Sequence, residues 1–288
     1  MVTATRRTQG QSAEDLEKAL GIRPLVEVIE PLNMFIYGDN GVGKTVLAAS
    51  VNKVMSPVLF LNVEGGTRSI EDREGIEVLD MTTPRAARLV RQYLRDNYTK
   101  YRAVILDSLT EYRIMESRGV LAQSVLEDPT HDKESLNIKD WGKTHDRVRE
   151  FVRFLRDLPI YVVVTALQES TKDELTGAIY LGPMLSDKLN SMIPGYFDLV
   201  GCLAVVEIDN KPVRRLYIQP TSRMKAKDRT QLTKKLGDHL DNPNMEVILK
   251  SAQTRGMFTP DVKPTAESTA EEINETAEEE EANAEDKT

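Results

Sequence analysis

One cysteine, one tryptophan and three histidines are all that this 288-residue sequence contains of those types. Cys202 has no second cysteine to pair with, so no internal disulfide can form. The chain is therefore not a disulfide-stapled secreted scaffold, and a reducing cytoplasm suits it. Cys202 sits in an apolar run and is expected to be a small buried hydrophobe. His131 and His145 have no metal-ligand spacing to each other or to Cys202, which argues against a His/Cys metal centre. No apolar run approaches the roughly 20 residues that span a bilayer, so no membrane is expected. Met1 to Gly10 is polar, carries Arg6 and Arg7, and lacks the apolar region of a secretory signal. No internal repeat is visible.

What is present is an ordinary soluble composition, 29% charged and 40% hydrophobic, in a length that fits one large α/β domain or two small ones. The formal net charge of −8 hides an asymmetry. Residues 261–288 carry eleven Asp/Glu against Lys263 and Lys287, a net of −9, which leaves about +1 for residues 1–260. A strongly acidic body would argue against a nucleic-acid partner, and this body is not acidic. The tail, with its block Glu278 to Glu281 and almost no apolar residues, is expected to be disordered. It is either a solubility appendage or a polyanion that competes with DNA for a basic surface or recruits a partner.

Residues 1–30 read as an N-terminal extension. Ser12 with Asp15 suggests a capping box opening a short helix through Leu20, stopped at Gly21, and Leu25 to Ile29 suggests an edge strand. Residues 31–260 read as one domain. Met34 to Tyr37 is a buried strand running into a glycine loop. Thr45 to Val54 follows as a helix with Val46, Leu47, Val51 and Val54 inward. Val58 to Val63 and Gly75 to Leu79 are strands, and Pro84 to Tyr98 is a helix with proline in its first turn. Ala103 to Leu106 is an apolar strand ending at Asp107. His145 to Leu158 is a helix by its apolar spacing, ended at Pro159, and Ile160 to Ala166 is another buried strand. Apolar strands alternating with helices predict an α/β fold with a mostly parallel central sheet flanked by helices. Leu199 to Ile208 and Val213 to Ile218, joined by Asp209 to Pro212, predict an antiparallel hairpin extending that sheet.

The strongest chemical signal is Gly38-Asp39-Asn40-Gly41-Val42-Gly43-Lys44-Thr45. Glycines permit the turn and the close approach that let the backbone N–H groups of residues 39–45 converge on phosphate oxygens. The loop follows a predicted buried strand and opens a predicted helix, the context this motif requires. Lys44 is expected to reach the β- and γ-phosphates of ATP, and Thr45 to ligate Mg²⁺. Asp107, ending a buried strand, either holds Mg²⁺ through water or caps the next helix. Glu64, after the strand that follows the loop helix, either orients an attacking water or is a solvated loop acid. Gln168, following another strand on the same edge, either senses the γ-phosphate or is a plain polar loop residue. Arg223-Met224-Lys225-Ala226-Lys227-Asp228-Arg229 is a basic run, extended by Lys234 and Lys235. It reads as a solvated loop, a contact for DNA phosphates, or a cationic finger on a neighbour's ATP. Trp141 is expected to be buried in a helical layer rather than to stack a base.

These residues together resemble the RecA-like ATPases, and most closely the fourth class of bacteriophage Sak-type proteins, single-domain RecA relatives linked to single-strand annealing and recombination. The similarity covers roughly residues 31–236. It implies that Gly38 to Thr45 is the Walker A loop, Asp107 the Walker B carboxylate and Glu64 the catalytic glutamate. It further implies that Gln168 begins a DNA-binding loop, so that residues 169–183 form a mobile loop facing single-stranded DNA. Lys227 and Arg229 resemble a Lys-x-Arg finger that reaches the next subunit's γ-phosphate in a ring or filament. The implied protein is an ATP-hydrolysing, single-strand-DNA-binding homo-oligomer, with a single-strand DNA-binding protein as a further expected partner. A hexameric helicase or translocase subunit uses the same residues. A P-loop kinase would need an arginine-rich lid that the sequence does not display, and a non-hydrolysing regulatory binder would not need Glu64, Asp107 and Gln168 together.

Overall fold

The computed structural model of the chain describes residues 13–22, 31–172, 174 and 177–252. The expected capping residue Ser12, the edge strand at 25–29 and the acidic tail lie outside the described residues. A short helix, α1 (Ala13–Ala19), stands where one was expected.

The strands are β1 (Asn33–Gly38), β2 (Val58–Asn62), β3 (Ile76–Asp80), β4 (Ala103–Asp107), β5 (Tyr161–Lys172), β6 (Ile179–Pro183), β7 (Leu199–Ile208), β8 (Lys211–Tyr217), β9 (Lys227–Asp228) and β10 (His239–Asp241). The helices after α1 are α2 (Lys44–Ala49), α3 (Pro84–Asn97), α4 (Leu109–Glu127), α5 (Ile138–Arg156), α6 (Asp187–Met192), α7 (Leu232–Leu236) and α8 (Met245–Ala252). All described strands belong to one sheet with the order β10-β8-β7-β1-β5-β4-β2-β3, β6 pairing with β5 and β9 with β7. From β7 to β3 every neighbour is parallel, and β8 and β10 continue it antiparallel.

The continuous apolar strands follow from burial on both faces. Side chains alternate across the sheet, so each strand feeds two cores. Phe35, Tyr37, Leu59, Leu61, Val104, Leu106, Val162 and Val164 pack under α3, α4 and α5. Met34, Ile36, Val58, Phe60, Ala103, Ile105 and Val163 pack with Leu47 of α2 and Ile248 of α8. Val46, expected inward, is instead 39% exposed: helix α2 turns Lys44, Leu47, Ala48 and Ala49 inward before tightening into a 3-10 turn, Ser50–Lys53.

Helix ends are set locally. Thr83 caps α3 by accepting from the Ala86 N–H at 3.2 Å, with Pro84 in the first position where its missing N–H costs nothing. Helix α5 begins at Ile138, seven residues before the expected start, because Asn137 and Asp140 form a reciprocal capping box. The turn between β7 and β8 is the two residues Asp209 and Asn210, both at positive φ (50° and 59°), the conformation that two-residue hairpins need.

The α4–α5 connection is fastened by Asp140, whose carboxylate accepts from Ser124 Oγ and pairs with His131 Nε2, each at 2.6 Å. The Asp132 carbonyl beside Nδ1, and then Asp140, raise the His131 pKa above its ordinary value. A histidine pKa raised by folding adds stability that is complete below the ordinary histidine range and is lost as pH climbs through the raised value. The destabilisation caused by His131→Asn, measured by urea unfolding, is therefore expected to be larger at pH 6 than at pH 9. Equal values at both pH would refute this fastening.

Candidate nucleotide site

Parallel strands β1, β5, β4 and β2 all end at one edge of the sheet, and the chemistry is gathered there. The loop Gly38 to Thr45 leaves β1 and enters α2. Gly41 and Gly43 sit at φ of +74° and +99°, backbone that L side chains rarely adopt. Gly38 is required for another reason: a Cβ there would lie 2.2 Å from the Leu203 carbonyl oxygen of β7. Asp39, Asn40 and Gly41 are exposed, and Val42 is buried beneath them. Lys44 is 7% exposed, and its Nζ donates to the carbonyls of Gly38 (3.1 Å) and Asp39 (2.8 Å), so the ammonium lies inside the curl of the loop. Burial pulls its pKa below the ordinary lysine value, while the carboxylates of Glu64, Asp107 and Asp39 push it back up.

Asp107 is 1% exposed and fully engaged. Thr45 Oγ1 donates to its Oδ2 at 2.8 Å, and Thr165 Oγ1, from the interior of β5, donates to its Oδ1. Its neighbour Ser108 caps α4 by accepting from the Glu111 N–H at 3.4 Å, so the capping duty that Asp107 could have had falls to the next residue. The Asp107–Ser108 peptide is cis. The two groups expected to hold Mg²⁺, Thr45 and Asp107, thus face one another at hydrogen-bond distance, a hard oxygen pair that fits the ion.

Glu64 follows β2 on an exposed turn, and its backbone N–H donates to the Asp107 carbonyl at 3.2 Å. Asn62 holds the turn by accepting from the Gly65 N–H at 2.9 Å. Gln168 stands across the site: its Nε2 donates to Asp39 Oδ2 at 3.5 Å, and its Oε1 accepts from Cys202 Sγ at 3.2 Å. The structure therefore brings Lys44, Thr45, Glu64, Asp107 and Gln168 to one place.

Most of the described residues of 169–183 are paired strand rather than an irregular loop. Strand β5 runs on through Gln168 to Lys172 and pairs antiparallel with β6, Gln168 opposite Pro183 and Lys172 opposite Ile179. Between them Ser170 lies opposite Leu181 and Thr171 opposite Tyr180; residues 173, 175 and 176 at the tip are outside the described residues.

The basic run divides in two. Lys227 is turned into its own chain, where its Nζ donates to the carbonyls of Pro194 (3.2 Å), Gly195 (2.9 Å) and Phe197 (2.6 Å). Within this chain it does not extend outward as a finger: the ammonium ties down a 3-10 turn, Ile193–Tyr196, and the Phe197 carbonyl that follows it. The side chain of Arg229 is 59% exposed, with only a 3.8 Å approach to Asp198.

Three residues at the site were missed from sequence. Thr165 was legible as the one hydroxyl in the apolar run Val162 to Ala166. Cys202 was read as an inert hydrophobe, and it is buried, but its thiol is a donor to Gln168. Arg214 of β8 gave no signal: its Nε donates to the Val42 carbonyl at 3.1 Å and packs the outer side of the phosphate loop against Gly43. Trp141, expected buried, is 36% exposed beside the His145 ring.

A phosphate loop on β1, a carboxylate on β4 with β5 between them, and a glutamate on the next strand define a RecA-like P-loop ATPase. A family model described as an AAA domain matches residues 30–230, most of the chain, and the protein belongs to that family. A search of curated protein sequences found no match. Among solved structures, the chain is similar to a KaiC-like protein from the hyperthermophilic archaeon Pyrococcus horikoshii OT3. That likeness has 12% identity and a TM-score of 0.42, over 74% of this chain and 90% of the other. It is also similar to the flagellar accessory protein FlaH of Methanocaldococcus jannaschii, at 11% identity and a TM-score of 0.36, over 72% and 84%. Among the described residues no helix is long and apolar enough to cross a membrane.

Proposed function

We propose that the protein is an ATP-dependent, single-strand-DNA-binding ATPase of the recombination and annealing kind, in a phage or its bacterial host, working as a homo-oligomer. The observation that carries the reading is Gln168. The same residue that hydrogen-bonds the phosphate loop through Asp39 opens the β5–β6 hairpin, whose outer part presents Lys172, Ile179 and Tyr180 to solvent. A change at the phosphate end of β5 is thereby a change at the base of a projecting ribbon with a cation and an aromatic side chain, the pair of groups that grips single strands.

In this reading Lys44 leaves the Gly38 and Asp39 carbonyls to neutralise charge developing on the β- and γ-phosphate oxygens. Thr45 and Asp107 hold Mg²⁺, which supplies further neutralisation of the phosphates when bound. Glu64, exposed and beside Asp107, orients the attacking water and takes its proton. Gln168 exchanges Asp39 for the γ-phosphate. Arg229 of one subunit reaches the ATP of the next, and Lys227 positions it.

The deciding experiment is ATP turnover with and without single-stranded oligonucleotide, read beside particle size by light scattering. Stimulation by single strands in an oligomeric particle is expected, with no turnover-coupled phosphorylation of an acceptor. A monomer that neither binds single strands nor responds to them would remove the proposal, and directional unwinding of a forked duplex would move it to the helicase class. The division of labour in the basic run is tested separately. Lys227→Met is expected to lower stability by about 1 kcal/mol, the scale of hydrogen bonds lost to partly exposed carbonyls, visible as a lower Tm. Arg229→Ala is expected to leave Tm unchanged and to reduce turnover. The reverse pattern would return Lys227 to the finger.

A further inference from the structure

A line of polar side chains runs through the core from the phosphate loop to the basic run. It starts at Asp39, bonded to Gln168 Nε2. Gln168 Oε1 accepts from the Cys202 thiol at 3.2 Å. Cys202 on β7 lies beside Tyr37 on β1, the two being partners in the parallel register. Tyr37 Oη donates to the Lys225 carbonyl at 2.5 Å, with the Leu181 carbonyl of β6 at 3.5 Å. Tyr37 and Cys202 are 0% and 1% exposed and belong to the core under α3–α5.

A phenylalanine and an alanine would fill most of this space with no polar group to satisfy. A buried hydroxyl and thiol cost free energy unless bonded, so what they contribute lies in what they bond. Burial pushes the Cys202 thiol up to about 11, so it stays protonated and able to donate at neutral pH, and the phenol is raised far above its ordinary value by the same cause. The far end of the line is attached to the basic run by backbone as well. The Leu181 N–H donates to the Arg223 carbonyl at 2.7 Å and the Lys225 N–H to the Leu181 carbonyl at 3.2 Å. Two residues on, β9 pairs with β7 in register with Val200 and Leu199, and the Arg229 N–H donates to the Asp198 carbonyl at 2.8 Å.

We propose that Tyr37 and Cys202 are positioning residues that tie Gln168 to the segment Lys225 to Arg229, so that the orientation of the Gln168 amide and the placement of Arg229 are set together. The proposal rests on the reading of Gln168 as the γ-phosphate sensor. When the Gln168 amide turns from Asp39 toward phosphate, the thiol loses its acceptor. The phenol oxygen of Tyr37, the residue paired with Cys202 in the register of β1 and β7, is the next one available. Accepting a hydrogen bond polarises the phenol and strengthens its own bond to the Lys225 carbonyl. The nucleotide site of one subunit and the cation it offers its neighbour are thereby linked within a single chain.

The test is steady-state turnover and equilibrium binding of a fluorescent ATP analogue, on the full chain, for Tyr37→Phe, Cys202→Ala, their double variant, Cys202→Ser and Gln168→Ala. Tyr37→Phe and Cys202→Ala are each expected to lower kcat about fivefold, the scale of one neutral hydrogen bond, with analogue Kd within about twofold of wild type. The double variant is expected to match the worse single variant, since the two residues act in one line. Cys202→Ser, which keeps a donor, is expected to recover kcat. The retained Kd certifies the fold, and the nearly isosteric Tyr37→Phe carries the test even where Cys202→Ala is unstable. Unchanged kcat in Tyr37→Phe, or single losses that multiply in the double variant, overturns the relay. If Gln168→Ala is impaired while Tyr37→Phe and Cys202→Ala are not, only the relay falls; if Gln168→Ala turns over at the wild-type rate, the sensor reading falls with it.

Discussion

Lys44→Ala is expected to lower ATP turnover by about 10²–10³-fold, the loss seen when one preorganised charge donor is removed from a developing oxyanion. The geometry makes the loss more than one contact. Lys44 is the one cation inside the loop, and the carboxylates of Glu64, Asp107 and Asp39 all act on it. Without it, the carboxylates face the incoming phosphates with no cation inside the loop to offset them, so nucleotide affinity should fall along with kcat. The fold should persist with a modest loss of stability: of the two carbonyls that the ammonium satisfies, that of Asp39 belongs to an exposed residue, and only that of Gly38 is buried. Calorimetric titration with ATP and a turnover assay on the same preparation check both parts. Wild-type turnover in Lys44→Ala would mean that the hydrolysis site lies elsewhere.

The second large effect is of the opposite kind. Glu64→Gln is expected to reduce kcat by about 10²–10⁴-fold, the usual range for a lost general base, with ATP still bound. The two acids at this edge differ in freedom. Asp107 is fixed on both oxygens by Thr45 and Thr165, which suits a metal-holding group and keeps it from moving to meet a water. Glu64 is exposed and held only through its backbone, which suits a group that must approach a water and take its proton. Removing its charge also removes a repulsion toward phosphate, so affinity should hold or rise. Single-turnover rates beside equilibrium binding separate these outcomes. A Glu64→Gln protein with full kcat would shift the base to another residue.

The core was legible because its strands are buried on both faces and so read as unbroken apolar runs, as in Val162 to Val164 and Ala103 to Leu106. The loop, Glu64, Asp107 and Gln168 were legible because each ends such a run at the ligand-bearing edge. What was missed depended on pairing that no local pattern encodes. The residues after Ala166 alternate polar types and look like a loop, yet backbone bonding to Ile179–Pro183 makes them a strand. The inward turn of Lys227 depends on three carbonyls some 30 residues earlier in the chain, and a run of basic residues looks the same whether its ammoniums point in or out. Arg214 reaches the loop across 172 positions of sequence.

Strand β5 has one more consequence. It is a single stiff rod of twelve residues, clamped between β1 and β4 for its first half and free of the parallel sheet beyond. Thr165 stands near the clamp and Gln168 just past it, while Lys172 lies four residues further, about 13 Å at the rise of an extended chain. Such a rod is a lever with its fulcrum at the sheet edge. A tilt too small to disturb the Thr165 bond to Asp107 would sweep the outer ribbon through a larger arc, turning a local rearrangement around a phosphate into a stroke.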